Sequence, residues 1–328
     1  MDDTSASNPR RETLVLTSDR FKARFCAVGD SVIDYNRSLN RLFTGGNSYN
    51  FSILCKILGF DSAFMGVVGS DPEGQLIRGT LEDQGIDVSH LQVREGETGL
   101  CGIDLVGGER VIVNLNDMGV VKSQPFRFDP DSLAQLADYD LVHTSCFSYL
   151  EPEFDKIRQL GIPILYDASD TWKQAGLEEL AGSVDYLFFS GKDLGKEELR
   201  SLLQRLVTGD PCRMALTTIG ERGALVYDGL EFYDRAPYFA SEPIVDSTGS
   251  GDYWLSGFMT TWIQGLKYLE GFERLPRIQE AWTPDPADQG DYLRKLLEQA
   301  LSFANAMARF ACMHQGTFGI GFPYDSEE

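Results

Sequence analysis

The sequence predicts an α/β fold: a mostly parallel sheet flanked by helices on both faces, with a small β lid. Three observations predict it. Short β-rich apolar runs alternate with helical stretches along most of the chain, the βαβ pattern of a parallel sheet covered on both sides. One interval, 99–115, holds two strand-like runs around Gly107-Gly108 with no helix between them, which marks a hairpin outside that alternation. Hydrophobic residues make up 42% of the 328, enough for a sizeable core without staples.

Taken in order, residues 1–20 are polar and read as a flexible tail, leaving 21–328 as the folded domain. Residues 24–29 form a buried first strand, and Asp30 and Asp34 lie just beyond its carboxyl end, where α/β sheets bind ligands. Gly45-Gly46-Asn47 opens a helix whose apolar Phe51, Leu54, Ile57 and Leu58 keep helical spacing up to Gly59. A strand follows at 62–69, and Asp71-Pro72 starts a helix that stops at Gly85. The lid spans about 99–118. Alternation then resumes with strands at 140–145, 163–167, 184–189 and 213–218, separated by helical stretches such as 192–206. Residues 267–290 carry Pro276, Pro284, Pro286 and several acids, which reads as a surface insertion before a final helix starting near Asp291.

Charge narrows the function. With 29 Lys and Arg against 50 acids and a net charge of −21, the chain does not suit a nucleic-acid backbone. Its six cysteines are scattered without any C-x-x-C, and its three histidines are dispersed, so neither zinc nor a disulfide framework is signalled. No apolar run has the length of a membrane span, and a cytoplasmic protein with no membrane partner is expected.

The chain is organised around Asp246-Ser247-Thr248-Gly249-Ser250-Gly251-Asp252, followed by apolar pairs at 254/255, 258/259 and 262/263 on one helical face. A helix start offers unpaired N–H groups and positive potential, and glycines let an anion approach closely. Asp252 would repel that anion unless it has a task, and accepting the proton of an attacking hydroxyl is one. An ordinary capped helix accounts for these residues about as well. Asp30 and Asp34 suit sugar hydroxyls or an ammonium, and equally suit turns and caps. Gly45-Gly46-Asn47 fits a polyol site or a plain helix start. Thr218-Ile219-Gly220-Glu221-Arg222-Gly223 borders a nucleotide or simply turns the chain. No G-x-x-x-x-G-K-[ST], no G-x-G-x-x-G after the first strand and no G-x-S-x-G is present, which leaves phosphoryl transfer without a P-loop as the best-supported chemistry.

Together and in order, these residues resemble the ribokinase-like, or PfkB, family of sugar and nucleoside kinases over roughly residues 24–322. Gly45-Gly46-Asn47 with Asn50 resembles the family's first signature, and residues 246–252 resemble its D-T-x-G-A-G-D signature, with Ser247 and Ser250 as mild departures. The resemblance implies a ribokinase-like fold and an ATP-dependent kinase. In it, Gly249, Ser250 and Gly251 form an anion hole, Asp252 is the base, and Asp34 binds substrate hydroxyls. Thr218, Gly220, Gly223 and Asn305 would lie on the nucleotide side. The family's N-x-x-E motif falls at Ser190 to Asp193, where Ser replaces Asn and Asp replaces Glu. Mg²⁺ is expected with ATP, its protein ligands are unassigned, and a monovalent cation near the final loop around Gly316 is left open.

Within the family, the likeness runs toward the fructosamine kinases. It is carried by residues 29–35, 48–50, 139–143 and Tyr166-Asp167-Ala168-Ser169-Asp170-Thr171-Trp172, where many sugar kinases of the family read D-x-N-x-R. The implied reaction is phosphorylation of the 6-hydroxyl of a fructosamine such as fructoselysine, with Asp30 or Asp170 pairing its ammonium. Asp167 and Asp170 also fit a strand end and a cap. The competing readings are a kinase for a plain sugar, sugar acid or nucleoside, and a sugar sensor on a kinase fold. A small-molecule sugar is the expected partner, with a second copy of the chain in a homodimer.

Overall fold

The computed structural model describes residues 21–106, 109–115, 118–174, 176–238, 243–273 and 286–324; the predicted tail at 1–20 lies outside them. In chain order the strands are β1 (Arg24–Gly29), β2 (Val32–Asn36), β3 (Arg41–Gly45), β4 (Asp61–Gly69), β5 (Leu91–Arg94), β6 (Gly99–Val106) and β7 (Glu109–Leu115). They continue with β8 (Leu141–Ser145), β9 (Ile164–Asp167), β10 (Tyr186–Ser190), β11 (Met214–Thr218), β12 (Ala224–Tyr227), β13 (Phe232–Arg235) and β14 (Phe322–Pro323). The helices are α1 (Asn47–Ile57), α2 (Pro72–Asp83), α3 (Val120–Ser123), α4 (Pro130–Leu136), α5 (Phe154–Gln159), α6 (Leu177–Ala181), α7 (Lys196–Leu206), α8 (Ser250–Glu273) and α9 (Pro286–Ala311).

Strand β1 shows why the sheet is covered on both faces. Its Phe25 and Ala27 pack into one core with α1, α8 and α9, while Cys26 and Val28 pack into a second core with residues of α3 to α7. Alternate residues of a strand point to opposite faces, so a continuous apolar run needs helices on both. The main sheet has the order β13-β12-β11-β10-β9-β8-β1-β4-β5. Every pairing from β5 to β11 is parallel, and β12 runs against both its neighbours. The chain leaves β1 for β4 on one side and later places β8 on the other, so the strand order reverses between β1 and β8. Ligands of open α/β sheets bind beyond the carboxyl ends at such a reversal.

The hairpin predicted at 99–115 forms as β6 and β7, but it is only part of a second sheet of order β14-β3-β2-β6-β7. Residues 32–45, which the sequence pattern does not mark as strands, form β2 and β3; β2 is short, and it is fixed by pairing with β3 and, in parallel, with β6 far along the chain. Asp71 joins this sheet to the first. It caps α2 by accepting from Gly74 N at 2.9 Å, and it also accepts from Thr98 N and Thr98 Oγ1, each at 2.6 Å, just before β6.

The predicted insertion at 267–290 differs at both ends. Residues 267–273 are the last part of α8, where Leu269 is buried and Lys267 pairs with Asp140, and Pro286 already starts α9. Residues 274–285 lie outside the described residues. Proline at a first helical turn sacrifices no hydrogen bond, so Pro286 begins a helix rather than breaking one.

Candidate active site

The first turn of α1 gathers the site. Gly46, at φ 112, precedes the helix, and a Cβ there would lie 2.9 Å from the carbonyl oxygen of Asp30, so only glycine lets α1 begin against the end of β1. Asp30 closes that contact. Its carboxylate, 1% exposed, accepts from Asn47 N, Ser48 N, Ser48 Oγ, Ser145 Oγ and Ser148 Oγ at 2.6–3.1 Å. Asp30 thus caps α1 and ties it to the end of β8. This corrects the expectation that Asp30 pairs with a substrate ammonium, because five protein donors already surround it. Ser145 and Ser148 were missed in the sequence; two serines after a strand carry no local signal of a shared carboxylate.

Two further residues of α1 hold one carboxylate each. Asn47 Nδ2 donates to Asp167 Oδ2 at 3.0 Å, and Asn50 Nδ2 donates to Asp252 Oδ2 at 2.7 Å. The strand-end Asp167 and the helix-start Asp252 are therefore held by amides three residues apart on α1, and Asn50 Oδ1 stays buried without a hydrogen-bond partner. Asp167 Oδ1 also accepts from Ser169 N at 2.7 Å. Burial first, and then the neighbouring charge of Asp252, hold the Asp167 carboxyl well above the usual carboxylate range. Asp170, in the turn beyond β9, is exposed, so it is not part of this buried group. Asp34 sits on β2 with its Oδ2 3.0 Å from where a Gly45 Cβ would stand, which places the carboxylate directly over that glycine.

The predicted anion cradle lies at the start of α8. Gly249 has φ 76 and is packed by Thr317, whose Cγ2 would lie 2.6 Å from a Cβ there; Thr317 was not singled out in the sequence. A Cβ on Gly251 would meet nothing within 4 Å, so space is open in front of the helix start. Asp246, 2% exposed, accepts from Thr248 N at 2.9 Å and Gly316 N at 2.8 Å, which pins the cradle to the final loop. A 24-residue helix aimed at this space supplies N–H groups and positive potential for a phosphoryl group.

On the nucleotide side, Gly220 (φ 58) and Gly223 (φ 95) turn the chain between β11 and β12. A Cβ on Gly223 would stand 2.1 Å from Arg235 O, so its role is to let β13 approach. Thr218 ends β11, half-buried, and its carbonyl accepts from Gly191 N at 2.8 Å. Asn305 accepts from Trp254 Nε1 at 2.8 Å and donates to Ala236 O, holding α9 against α8 and the exit of β13. Ser190 ends β10, and its carbonyl accepts from Trp172 Nε1 at 2.7 Å. Asp193 turns to the surface, 64% exposed, and pairs with Lys173 at 3.6 Å. Among the described residues no group of three His, Cys, Asp or Glu could hold a metal ion, and no helix is long and apolar enough to cross a membrane.

The sequence pattern of the pfkB family carbohydrate kinases matches residues 30–320. Fructosamine kinase FrlD of Bacillus subtilis is 27% identical over 306 residues, covering 93% of this chain and 96% of that protein. Fructoselysine 6-kinase of Escherichia coli is 28% identical over 241 residues, 73% of this chain and 89% of that protein. Fructokinase of Salmonella typhimurium is 25% identical over 272 residues, 73% and 84% of the two chains. In fold, the ribokinase of Giardia lamblia aligns with a TM-score of 0.71 at 19% identity, over 90% of this chain and 95% of its own. The fructokinase of Vibrio cholerae, solved with fructose, ADP and calcium, aligns with 0.65 at 20% identity over 90% and 95%. With that pattern spanning nearly the whole domain, and a glycine cradle and an aspartate at the start of α8, the chain belongs to the pfkB family of carbohydrate kinases.

Proposed function

We propose that the protein transfers the γ-phosphoryl group of ATP to the primary 6-hydroxyl of a fructosamine such as fructoselysine. One observation carries the chemistry: the Asp252 carboxylate stands at the mouth of the Gly249–Ser250–Gly251 cradle, with Asn50 holding one of its oxygens. In this reading Asp252 accepts the hydroxyl proton as the sugar oxygen bonds to the γ-phosphorus and the bond to ADP breaks. The N–H groups at the start of α8 then meet the charge spread over the transferred oxygens. The open space at Gly251 lets a phosphate approach the helix start closely, and Mg²⁺ held on the ATP phosphates would supply charge neutralisation. Thr218, Gly220, Gly223 and Asn305 frame the nucleotide side. A monovalent cation beside the Gly316 loop belongs to the same reading, since Asp246 brings a buried carboxylate there.

The substrate rests on the fructosamine and fructoselysine kinases among its relatives, which cover more of this chain or match at higher identity than the fructokinase. The test is a panel of fructoselysine, fructose and ribose with ATP and Mg²⁺, following ADP formation and locating the phosphate by NMR. Fructoselysine should be converted to its 6-phosphate with the highest kcat/KM. Asp252→Asn should lower turnover by about 10²–10⁴-fold while nucleotide binding survives, because the amide keeps the shape but accepts no proton. Equal use of fructose or ribose would reduce the reading to a general sugar kinase, and near-normal turnover by Asp252→Asn would remove Asp252 as the base.

A further inference from the structure

The four aspartates that the sequence put at strand ends are each placed differently. Asp30 is saturated by its five donors, Asp170 is exposed, and Asp34 lies over Gly45 in the second sheet. Asp167 is 2% exposed and receives Ser169 N on one oxygen and Asn47 Nδ2 on the other. A carboxylate accepts about four hydrogen bonds, so capacity remains. The charges that weigh most on it, those of Asp252 and Asp30, are both negative. Cys146 beyond β8, Tyr166 on β9 and Glu151 add only acidic groups to the same neighbourhood.

We propose that Asp167 is the specificity-determining residue of this kinase, the counter-charge for the secondary ammonium of a fructosamine whose primary hydroxyl lies at Asp252. The inference rests on the fructosamine reading above. Its geometric basis is the pair of α1 amides. Asn47 holds Asp167 and Asn50 holds Asp252, and residues three apart on a helix carry Cβ atoms about 5–6 Å from each other. One face of α1 thus presents two separate carboxylates, one for the amine end of a hexose and one for its primary hydroxyl.

Burial and the neighbouring charge of Asp252 both disfavour a charge on Asp167, so the empty site favours its proton-bearing form. An arriving ammonium reverses the balance. The Asp167 O–H bond breaks, its proton passes to the buffer, and the new carboxylate pairs with the cation; no electrons change hands. A neutral sugar meets an O–H instead and releases nothing. A sugar acid brings a further negative charge beside Asp167, Asp252 and Asp30, which repel it.

Calorimetric titration of the full-length protein at pH 6.5, in two buffers of different ionisation enthalpy, tests this with fructoselysine and fructose as ligands. Fructoselysine should release protons on binding and fructose close to none. Asp167→Asn should abolish the release and lower kcat/KM for fructoselysine roughly 30-fold more than for fructose, whereas Asp170→Asn should do neither. Equal proton exchange with both sugars in the wild type overturns the proposal even if Asp167→Asn fails to fold, and so does an unchanged fructoselysine-to-fructose ratio in that variant. If the wild type does not phosphorylate fructoselysine at all, the fructosamine reading itself falls and takes this inference with it.

Discussion

At the scale of single residues, burial decides which polar groups act and which only hold the fold. His143, in the middle of β8, is 1% exposed and stacked on Phe51 with ring centroids 4.4 Å apart, and burial pushes its pKa down to about 3. The folded pKa lies below the ordinary value of 6.5, so the unfolded chain takes up a proton first as pH falls. Stability is therefore unaffected above pH 6.5 and declines below it, by about 1.4 kcal/mol per pH unit from this residue. Chemical denaturation between pH 7 and 5 should show that slope in the wild type and a shallower one in His143→Leu; parallel slopes would mean that the ring takes its proton while folded. Asp30 shows the opposite case. Its place after the first strand was legible, but its five donors come from α1, β8 and the turn after β8, so only the folded chain reveals that it is a cap.

At the scale of elements, the second sheet is the one whose closure over a sugar the prediction concerns. It leaves the main sheet at Thr98, held by Asp71, and is tied at its other side to the chain end, where β14 pairs with β3 and Tyr324 lies 4.5 Å from the Tyr35 ring. The same final stretch packs Thr317 on Gly249 and hands Gly316 N to Asp246. Closing this sheet over a bound sugar would exclude water from the phosphoryl group. Amide hydrogen exchange across 99–115 should slow when sugar is added, and because β2 is paired to β6, protection should extend to 32–36. Exchange unchanged at saturating sugar would mean a static sheet. The hairpin was legible from two strand-like runs with no helix between them. Its partners β2, β3 and β14 were not, since strands of five residues or fewer are made by the neighbours they find as much as by their own propensity.

At the scale of the whole molecule, the core runs through α8 and α9 on one face of the main sheet, with Trp254 stacked on both Phe188 and Phe258. Residues 274–285 separate those helices in the chain and include none of the site residues. Replacing them with a short linker should leave kcat/KM within a few-fold of wild type. Cutting back into 267–273 should destabilise the fold, because Leu269 is buried and a Gly271 Cβ would already stand 2.6 Å from Phe21. Loss of activity in a folded 274–285 variant would place that segment at the site. By itself the sequence determined the parallel sheet with two covered faces, the start of α8 with its glycines and Asp252, and the kinase family, because strand and helix periodicity and a contiguous motif are local properties of a chain. Only the tertiary structure decided that Asp30 is a cap, that Asp170 is exposed, that Asp193 faces Lys173, and that Asp167 and Asp252 are held by amides three residues apart on α1. Carboxylates look alike in sequence, and what separates their roles is which donors and which other charges the fold brings within reach.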